Sequence, residues 1–441
     1  MSYRAAIEEL NALAPELYTR PGQPRRKFSL DEIGRLLAAL GNPQRRFASV
    51  LIAGTNGKGS TASTLASILV ASQVRTGLYT SPHLERPNER IRVNGEEIGD
   101  EVFAALFYRV HDTAQQLVDE GQLPQMPSFF EVLTAQAFLY FAEAGVELAV
   151  LEVGMGGRLD ATNIVDPLLS VICDISLDHT EWLGTTIGAI TREKAGILRR
   201  GGTLITLPQH PEANQVIGEV AAELGVRGAN AGCYMPPADI STGAPYRVDA
   251  LGKAVEVASP LSGAHQQRNV ALAIASAVEL KLNHGFNVTP RSISEGIRQT
   301  RWPGRMEHLR ARGVEWILDV AHNPAGAWAL RSGLSALFDE EHPRCLIFSC
   351  LRDKPVAEMA QILFPLFDHV ILAPIHSARA ISHEALETAA ATTGVQFSNA
   401  GTVAEALAKA KERSKGGWAV VSGSVYLVGE ARSLLRAEAS Q

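Results

Sequence analysis

The chain has 441 residues, 46% of them hydrophobic and 20% charged, which is too long for one compact core and predicts two domains. A formal net charge of -6, with no stripe of lysine or arginine interleaved with aromatic residues, argues against nucleic acid as a partner. The four cysteines, Cys173, Cys233, Cys345 and Cys350, lack metal-ligand spacing, and two of them lie inside apolar runs, which fits a reducing cytoplasm.

Met1 to Arg20 carries Arg4, Glu8, Glu9 and Glu16 without a long apolar stretch, so neither a secretory signal nor a membrane anchor is expected. The first strong element is Val50-Leu51-Ile52, followed by Ala53-Gly54-Thr55-Asn56-Gly57-Lys58-Gly59-Ser60 and then by Thr61 to Leu69. This reads as a strand, a glycine loop and a helix. Such a loop lets backbone N–H groups converge on an anion, the helix start adds a positive dipole end, and Lys58 supplies a mobile cation for the outer phosphates. The match to Walker A is loose, because Ile52 stands where its first glycine belongs and Gly59 separates Lys58 from the hydroxyl of Ser60. A glycine turn that merely joins a strand to a helix is the competing reading of the loop alone.

Short β-rich runs alternate with longer helical patterns, the sign of parallel βαβ units covered by helices on both faces. Strands are expected at Val50 to Ala53, Gly77 to Thr80, Leu148 to Val153, Leu169 to Asp174 and Thr203 to Leu207. The apolar region Val132 to Val153 is interrupted by Glu143, Glu147 and Glu152, which excludes a membrane span. Val226 to Val257 reads as irregular or antiparallel decoration. A second series follows at Glu315 to Val320, Arg344 to Ser349, His369 to Ala373 and Trp418 to Ser422. Between the series, Gln299-Thr300-Arg301-Trp302-Pro303-Gly304 marks a hinge. The expected architecture is α/β: a mostly parallel P-loop ATPase domain over 1–298, then a smaller Rossmann-like domain over 299–441.

Ligands of open parallel sheets bind beyond the carboxyl ends of the strands. There the first half delivers Lys58 and Ser60, then Ser81, then Glu152, then Asp178 and His179: hard oxygen ligands and one imidazole suited to magnesium and phosphate. Glycines Gly154, Gly156 and Gly157 after Glu152 permit close approach of backbone to a ligand. Taken singly, Glu152 reads equally as a salt-bridged strand end, His179 as a loop histidine and Lys194 as a solvated helix lysine before a glycine cap. In the second half Arg305 reads as a surface cation or a phosphate ligand. Asp319 reads as a helix cap or as an acceptor from a ribose or an ammonium group. Together they suggest a lid.

These residues resemble the folylpolyglutamate synthase and dihydrofolate synthase family, itself related to the Mur ligases that add amino acids to peptidoglycan precursors. The strings that carry the likeness are the Gly54 to Ser60 loop, Ser81-Pro82-His83-Leu84, Glu152 to Asn163, Asp178-His179, Arg192 to Gly196, Trp302 to Arg305 and Asp319 to Pro324. The resemblance implies an ATP-dependent ligase that joins L-glutamate through an acyl phosphate, either extending existing folates, adding the first glutamate to dihydropteroate, or both; a cytoplasmic monomer is expected. It implies that Thr55, Asn56, Gly57, Lys58, Gly59, Ser60, Asn269, Arg305 and Asp319 contact ATP. Two magnesium ions would be held by Ser81, Glu152 and His179, with Lys194 carboxylated to a carbamate. The folate would lie against Ser128, Phe129, Phe130, Leu159, Asp160 and Ala161, with a further candidate stretch at Tyr18 to Lys27, and glutamate would meet His322 and Ser424. A Mur-type ligase acting on a nucleotide-linked sugar peptide is the nearest rival, and a P-loop kinase or switch protein is the rival from another class.

Overall fold

The computed structural model describes residues 2–13, 29–237, 240, 241, 243–311, 313–339 and 341–439. The candidate stretch Tyr18 to Lys27 lies outside them. The first sheet has eight strands: β1 (Ala48–Ala53), β2 (Thr76–Tyr79), β3 (Ile91–Val93), β4 (Glu96–Glu97), β5 (Leu148–Glu152), β6 (Leu169–Ile172), β7 (Thr203–Thr206) and β8 (Arg227–Asn230). Their order is β4-β3-β2-β5-β1-β6-β7-β8, parallel except for the β2-β3 and β3-β4 pairs. A hairpin of β9 (Tyr246–Ala250) and β10 (Lys253–Val257) follows.

Alternation along the central strands assigns each face to its own core. Leu51 and Ala53 enter one apolar cluster with Ala149 and Leu151 of β5, while Val50 and Ile52 enter the other with Leu148 and Val150. Both faces are covered, so these strands read as unbroken apolar runs.

The second sheet has six strands: β11 (Glu307–Ala311), β12 (Val314–Asp319), β13 (Arg344–Phe348), β14 (His369–Leu372), β15 (Gln396–Asn399) and β16 (Trp418–Ser422). The order is β11-β12-β16-β13-β14-β15, with only the β11-β12 pair antiparallel. It too separates two cores, Ile317, Leu346 and Val420 on one side and Trp316, Ile347 and Val421 on the other. The α/β expectation is met.

Every strand expected from the sequence forms, most ending a residue or two earlier than expected. Five were not foreseen: β3, β4, β8, β11 and β15. All but β3 are edge strands and β3 lies next to one, and they are short or mixed in polarity, as in the exposed pair Glu96 and Glu97 and the Gln396 to Asn399 stretch. Strands without an apolar signature escape a periodicity reading. The stretch Val226 to Val257 resolves into an edge strand and the hairpin.

The helix that follows the phosphate loop, Lys58–Ala71, is buried along nearly its whole length. It is wedged under the Ala264–His284 and Pro290–Gln299 helices, and Gly296 is seated against the backbone of Ile68, where any side chain would collide. Ser67 Oγ donates to the Gly296 carbonyl at 2.7 Å. This close packing fixes the loop that precedes the helix.

Candidate active site

β1 ends at Ala53, and the backbone turns through Gly57 at φ 86°, a left-handed conformation that costs a side-chain-bearing residue energy. Two neighbours crowd the glycines on either side of Lys58, and the second accounts for Gly59 where Walker A has a hydroxyl residue. Gly57 is pressed against the Asn269 carboxamide, and a Cβ on Gly59 would stand 2.6 Å from the Trp302 ring. No side chain fits after the lysine.

Lys58 folds back on its own loop, donating from Nζ to the carbonyls of Gly54 at 3.1 Å and Thr55 at 3.2 Å. Lys194, buried at the end of the Ile187–Ala195 helix, donates to the same Gly54 carbonyl at 2.8 Å. Burial, reinforced by the Lys58 charge, brings the Lys194 amine down to about 7. The solvated-lysine reading of Lys194 is therefore incorrect, because its side chain points into the phosphate loop.

Parallel pairing of β5 with β1 sets Glu152 level with Ile52, at the carboxyl edge of the sheet. Glu152 is buried and accepts the Ser81 N–H at 3.0 Å. Burial raises its carboxyl pKa, opposed by the charge of Lys58, the Ser81 N–H and the charges of Arg305 and Arg90. His179 begins a short helix at φ 49°. Its ring is 4.0 Å from Asp178, and burial holds it down to about 3 against the pull of that carboxylate, with Lys58 among the cations that lower it further. Lys58 thus acts electrostatically on both Glu152 and His179. Among the described residues no three His, Cys, Asp or Glu side chains gather closely enough to hold a metal ion. The expected donor set contains one carboxylate and one imidazole, and Ser81 brings a hydroxyl.

Asp178 faces the second sheet. It accepts from Lys354 Nζ at 2.6 Å and from Asn323 Nδ2 at 3.1 Å, and His322 Nε2 lies 3.5 Å away. Burial alone would raise its pKa, but the His322 hydrogen bond and the charges of His179 and Lys354 hold it well below the usual carboxylate range. His322 Nδ1 also faces the Val320 carbonyl at 2.9 Å. Sequence reasoning gave Lys354 and Asn323 no role. Lys354 follows the carboxyl end of β13 in Arg352-Asp353-Lys354, so the strand-end rule applied to the second half as it was to the first would have found it.

Arg305 is partly buried, within electrostatic reach of two acids. Burial lowers its pKa while Asp319 and Glu152 raise it, and it donates to the Gly304 carbonyl at 3.1 Å. Asp319, at the end of β12, accepts the N–H groups of Met306 and Ala321, each at 2.8 Å. The helix-cap reading of Asp319 is corrected: the cap of Pro324–Ser335 is Asn323. Asn269 is buried and donates to Gln266 Oε1 at 2.9 Å. Ser60 is buried in the first turn of its helix, Thr55 Oγ1 donates to the Ser176 carbonyl at 3.0 Å, and Asn56 reaches Ser176 Oγ at 3.2 Å. Ser424 is buried with its Oγ accepting the Tyr426 N–H at 3.2 Å.

Beside this cleft is a cavity of about 150 Å³ lined by Ser128, Met155, Leu159, Asp160, Ala161 and Trp182, among others. Ser128 Oγ caps Phe129–Glu143 in a reciprocal box with Glu131, and Asp160 Oδ2 and Oδ1 accept the N–H groups of Met155 at 2.9 Å and Thr162 at 3.0 Å. Phe129 and Phe130 are not among its walls. Phe130 is packed in the core, 2.6 Å from where a Cβ on Gly154 would stand and 5.9 Å from the Tyr79 ring, and Phe129 supports the Arg90 guanidinium at 5.1 Å. Phe130 is thus buried in the core and Phe129 partly buried beside Arg90, as is usual for aromatics at the start of a buried helix. Met155 and Trp182 were not anticipated.

The chain matches the Mur ligase middle domain over residues 52–277 and the Mur ligase glutamate ligase domain over 304–425. It is 35% identical to the folylpolyglutamate synthase of Lacticaseibacillus casei over 91% of this chain and 92% of that one. It is 33% identical to the dihydrofolate synthase/folylpolyglutamate synthase of Bacillus subtilis over 93% and 95%. Among solved structures it superposes on Mycobacterium tuberculosis folylpolyglutamate synthase complexed with ADP and AMPPCP, with a TM-score of 0.87, 33% identity and coverage of 98% and 99%. E. coli FolC in complex with DHPP and ADP gives a TM-score of 0.85 at 29% identity, covering 100% and 99%. Two Mur ligase domains on one chain, a lysine-bearing phosphate loop and relatives matched almost end to end have one common meaning: this chain belongs to the folylpolyglutamate and dihydrofolate synthase family and is an ATP-dependent ligase of folate–glutamate type.

Proposed function

We propose that the protein joins the amino group of L-glutamate to the carboxylate of a folate, with dihydropteroate as a second acceptor, by way of an acyl phosphate. The observation that carries this reading is the convergence of Lys58, Lys194, Glu152 and Arg305 at one carboxyl edge, next to a separate cavity. Phosphoryl transfer and acceptor binding then have adjoining but distinct places. The folate carboxylate attacks the γ-phosphorus, ADP leaves, the glutamate amine adds to the acyl carbonyl, and inorganic phosphate departs as the amine loses its proton.

In this reading Lys58 leaves the carbonyls of Gly54 and Thr55 for the outer phosphates, while Thr55 to Ser60, Asn269, Arg305 and Asp319 hold the nucleotide. A carboxylate, a hydroxyl and an imidazole suit magnesium, and the buried Glu152 needs a cation nearby to stay charged. Ser81, Glu152 and His179 would hold magnesium, whose charge offsets the negative charge on the transferred group. Lys194 supports its own carboxylation: an amine near 7 is substantially neutral at physiological pH and so nucleophilic toward carbon dioxide. The cavity takes the pterin end of the acceptor, and His322 and Ser424 are assigned to glutamate. We place the domain boundary between 298 and 299. A single copy supplies every group named here, which supports a monomer. Three cysteines are buried and all four are free, in keeping with the cytoplasm.

The test is phosphate release from ATP by the purified protein with acceptor and glutamate added singly and together, using tetrahydrofolate and dihydropteroate in parallel. Release that needs both substrates, with an amide product, supports the reading. Equal release from ATP alone overturns it.

A further inference from the structure

Asn323 bonds the two halves of the molecule through three contacts of one side chain. It is 1% exposed, and its carboxamide makes four contacts. Oδ1 accepts the Gly326 N–H at 2.8 Å, which caps the Pro324–Ser335 helix, and faces Asn56 Nδ2 at 3.4 Å. Nδ2 donates to Asn56 Oδ1 at 3.1 Å and to Asp178 Oδ2 at 3.1 Å. Both N–H groups and both lone pairs are occupied, the full capacity of an amide. Turning the amide over would set its oxygen against the Asp178 carboxylate and its nitrogen against the Gly326 N–H, so the network admits one orientation.

Each partner in the first half has a place in the site. Asn56 belongs to the phosphate loop, two residues before Lys58, and Asp178 immediately precedes His179. Lys354 adds a second tie, with its buried ammonium on the other Asp178 oxygen at 2.6 Å. A helix cap needs only the Oδ1 contact to Gly326. The remaining three contacts do nothing for that helix and instead join it to the loop and to the His179 turn.

We propose that Asn323 is a positioning residue that registers docking of the second half onto the phosphate loop, so that phosphoryl transfer proceeds in a cleft from which water is excluded. The acyl phosphate is hydrolysed if the halves part before the amine arrives, and Asn323 acts by keeping Asn56 and Asp178 bound to the glutamate-side sheet during that interval. The inference rests on the acyl-phosphate reading above.

Asn323→Ser and Asn323→Asp separate the two roles. Both keep an N-cap oxygen. Serine is too short to span to Asn56 and Asp178, and aspartate loses both donors and sets a second carboxylate beside Asp178. The measurement is the ratio of phosphate released to amide formed, with ATP affinity and melting temperature recorded on the same samples. The expected result is a melting temperature close to native, a KM for ATP within about threefold, and amide turnover down roughly ten- to hundredfold with several phosphates released per amide. Asn323→Asp should be the more severe. A ratio that stays at the native value, whether or not the melting temperature falls, overturns the proposal and leaves Asn323 as a helix cap only. Failure of the underlying reading is recognised separately, because the unaltered protein would then show no dependence of phosphate release on acceptor and glutamate.

Discussion

Lys58 and Lys194 crowd one carbonyl in the nucleotide cleft, whereas Ser128 and Asp160 beside the neighbouring cavity form their hydrogen bonds within their own loops. The cleft holds groups whose partners are provisional: two lysine amines on a single neutral oxygen, and the buried Glu152 carboxylate under the influence of Lys58. On the proposed function, arriving phosphates would replace those contacts with better ones. The cavity has a finished polar framework, and what it offers a ligand is chiefly shape and apolar wall. Substitutions in the cleft should therefore change the chemical step, and those in the cavity should change acceptor binding.

The sharpest way to break that contrast is Lys58→Ala, which should reduce amide formation by about a thousandfold or more while leaving the melting temperature nearly unchanged. Retained ligation would remove the cleft from the chemistry. Gly59→Ala comes next. Its methyl would meet the Trp302 ring at 2.6 Å, and the expected loss in kcat is roughly ten- to hundredfold. A double variant with Trp302→Ala should recover part of it, since the two effects share one contact. Additive losses would show that the collision is not the cause.

Lys194 predicts a smaller, pH-dependent effect. Its amine, lowered to about 7 mainly by burial, is protonated and unreactive toward carbon dioxide below that value and neutral above it. Activity should therefore fall as pH drops through about 7, fall further in buffer stripped of carbon dioxide, and return when bicarbonate is added. On the cavity side, Trp182→Ala should raise KM for the acceptor about tenfold and leave KM for ATP alone. An equal shift in both would merge the two regions.

The smallest expected effect is on stability. Burial, aided by Arg90, depresses the His83 ring to about 3, and Arg90 Nε donates to its Nδ1 at 2.9 Å, which requires an unprotonated nitrogen. The unfolded chain protonates His83 below about 6.5 and the folded chain does not. This contribution is therefore complete above about 6.5 and is lost as pH falls toward 3. Melting temperatures measured down that range should decline less steeply for His83→Gln, which keeps an acceptor for Arg90. Parallel curves would assign the decline to other groups.

Much of this was legible before any coordinates. Central strands buried on both faces, such as Leu148–Glu152, declare themselves by composition, and residues just past their carboxyl ends fall at the site because parallel topology puts them there. Lys58, Ser81, Glu152 and His179 followed from that rule. Contacts made by chain segments far apart in sequence did not. Nothing local to Asn323 shows that it meets Asn56 and Asp178, and nothing local to Phe130 shows that Gly154 makes room for it in the core rather than in the cavity. Polar edge strands such as Gln396–Asn399 were missed because pairing, not burial, holds them in place.

The central claim, that the acceptor carboxylate is activated by ATP at the Lys58 loop, is tested most directly with an acceptor carrying heavy oxygen in that carboxylate. Mass analysis of the inorganic phosphate released during ligation should show one labelled oxygen transferred per amide formed. Phosphate that carries no label while labelled amide accumulates would contradict an acyl phosphate and the function proposed for the cleft.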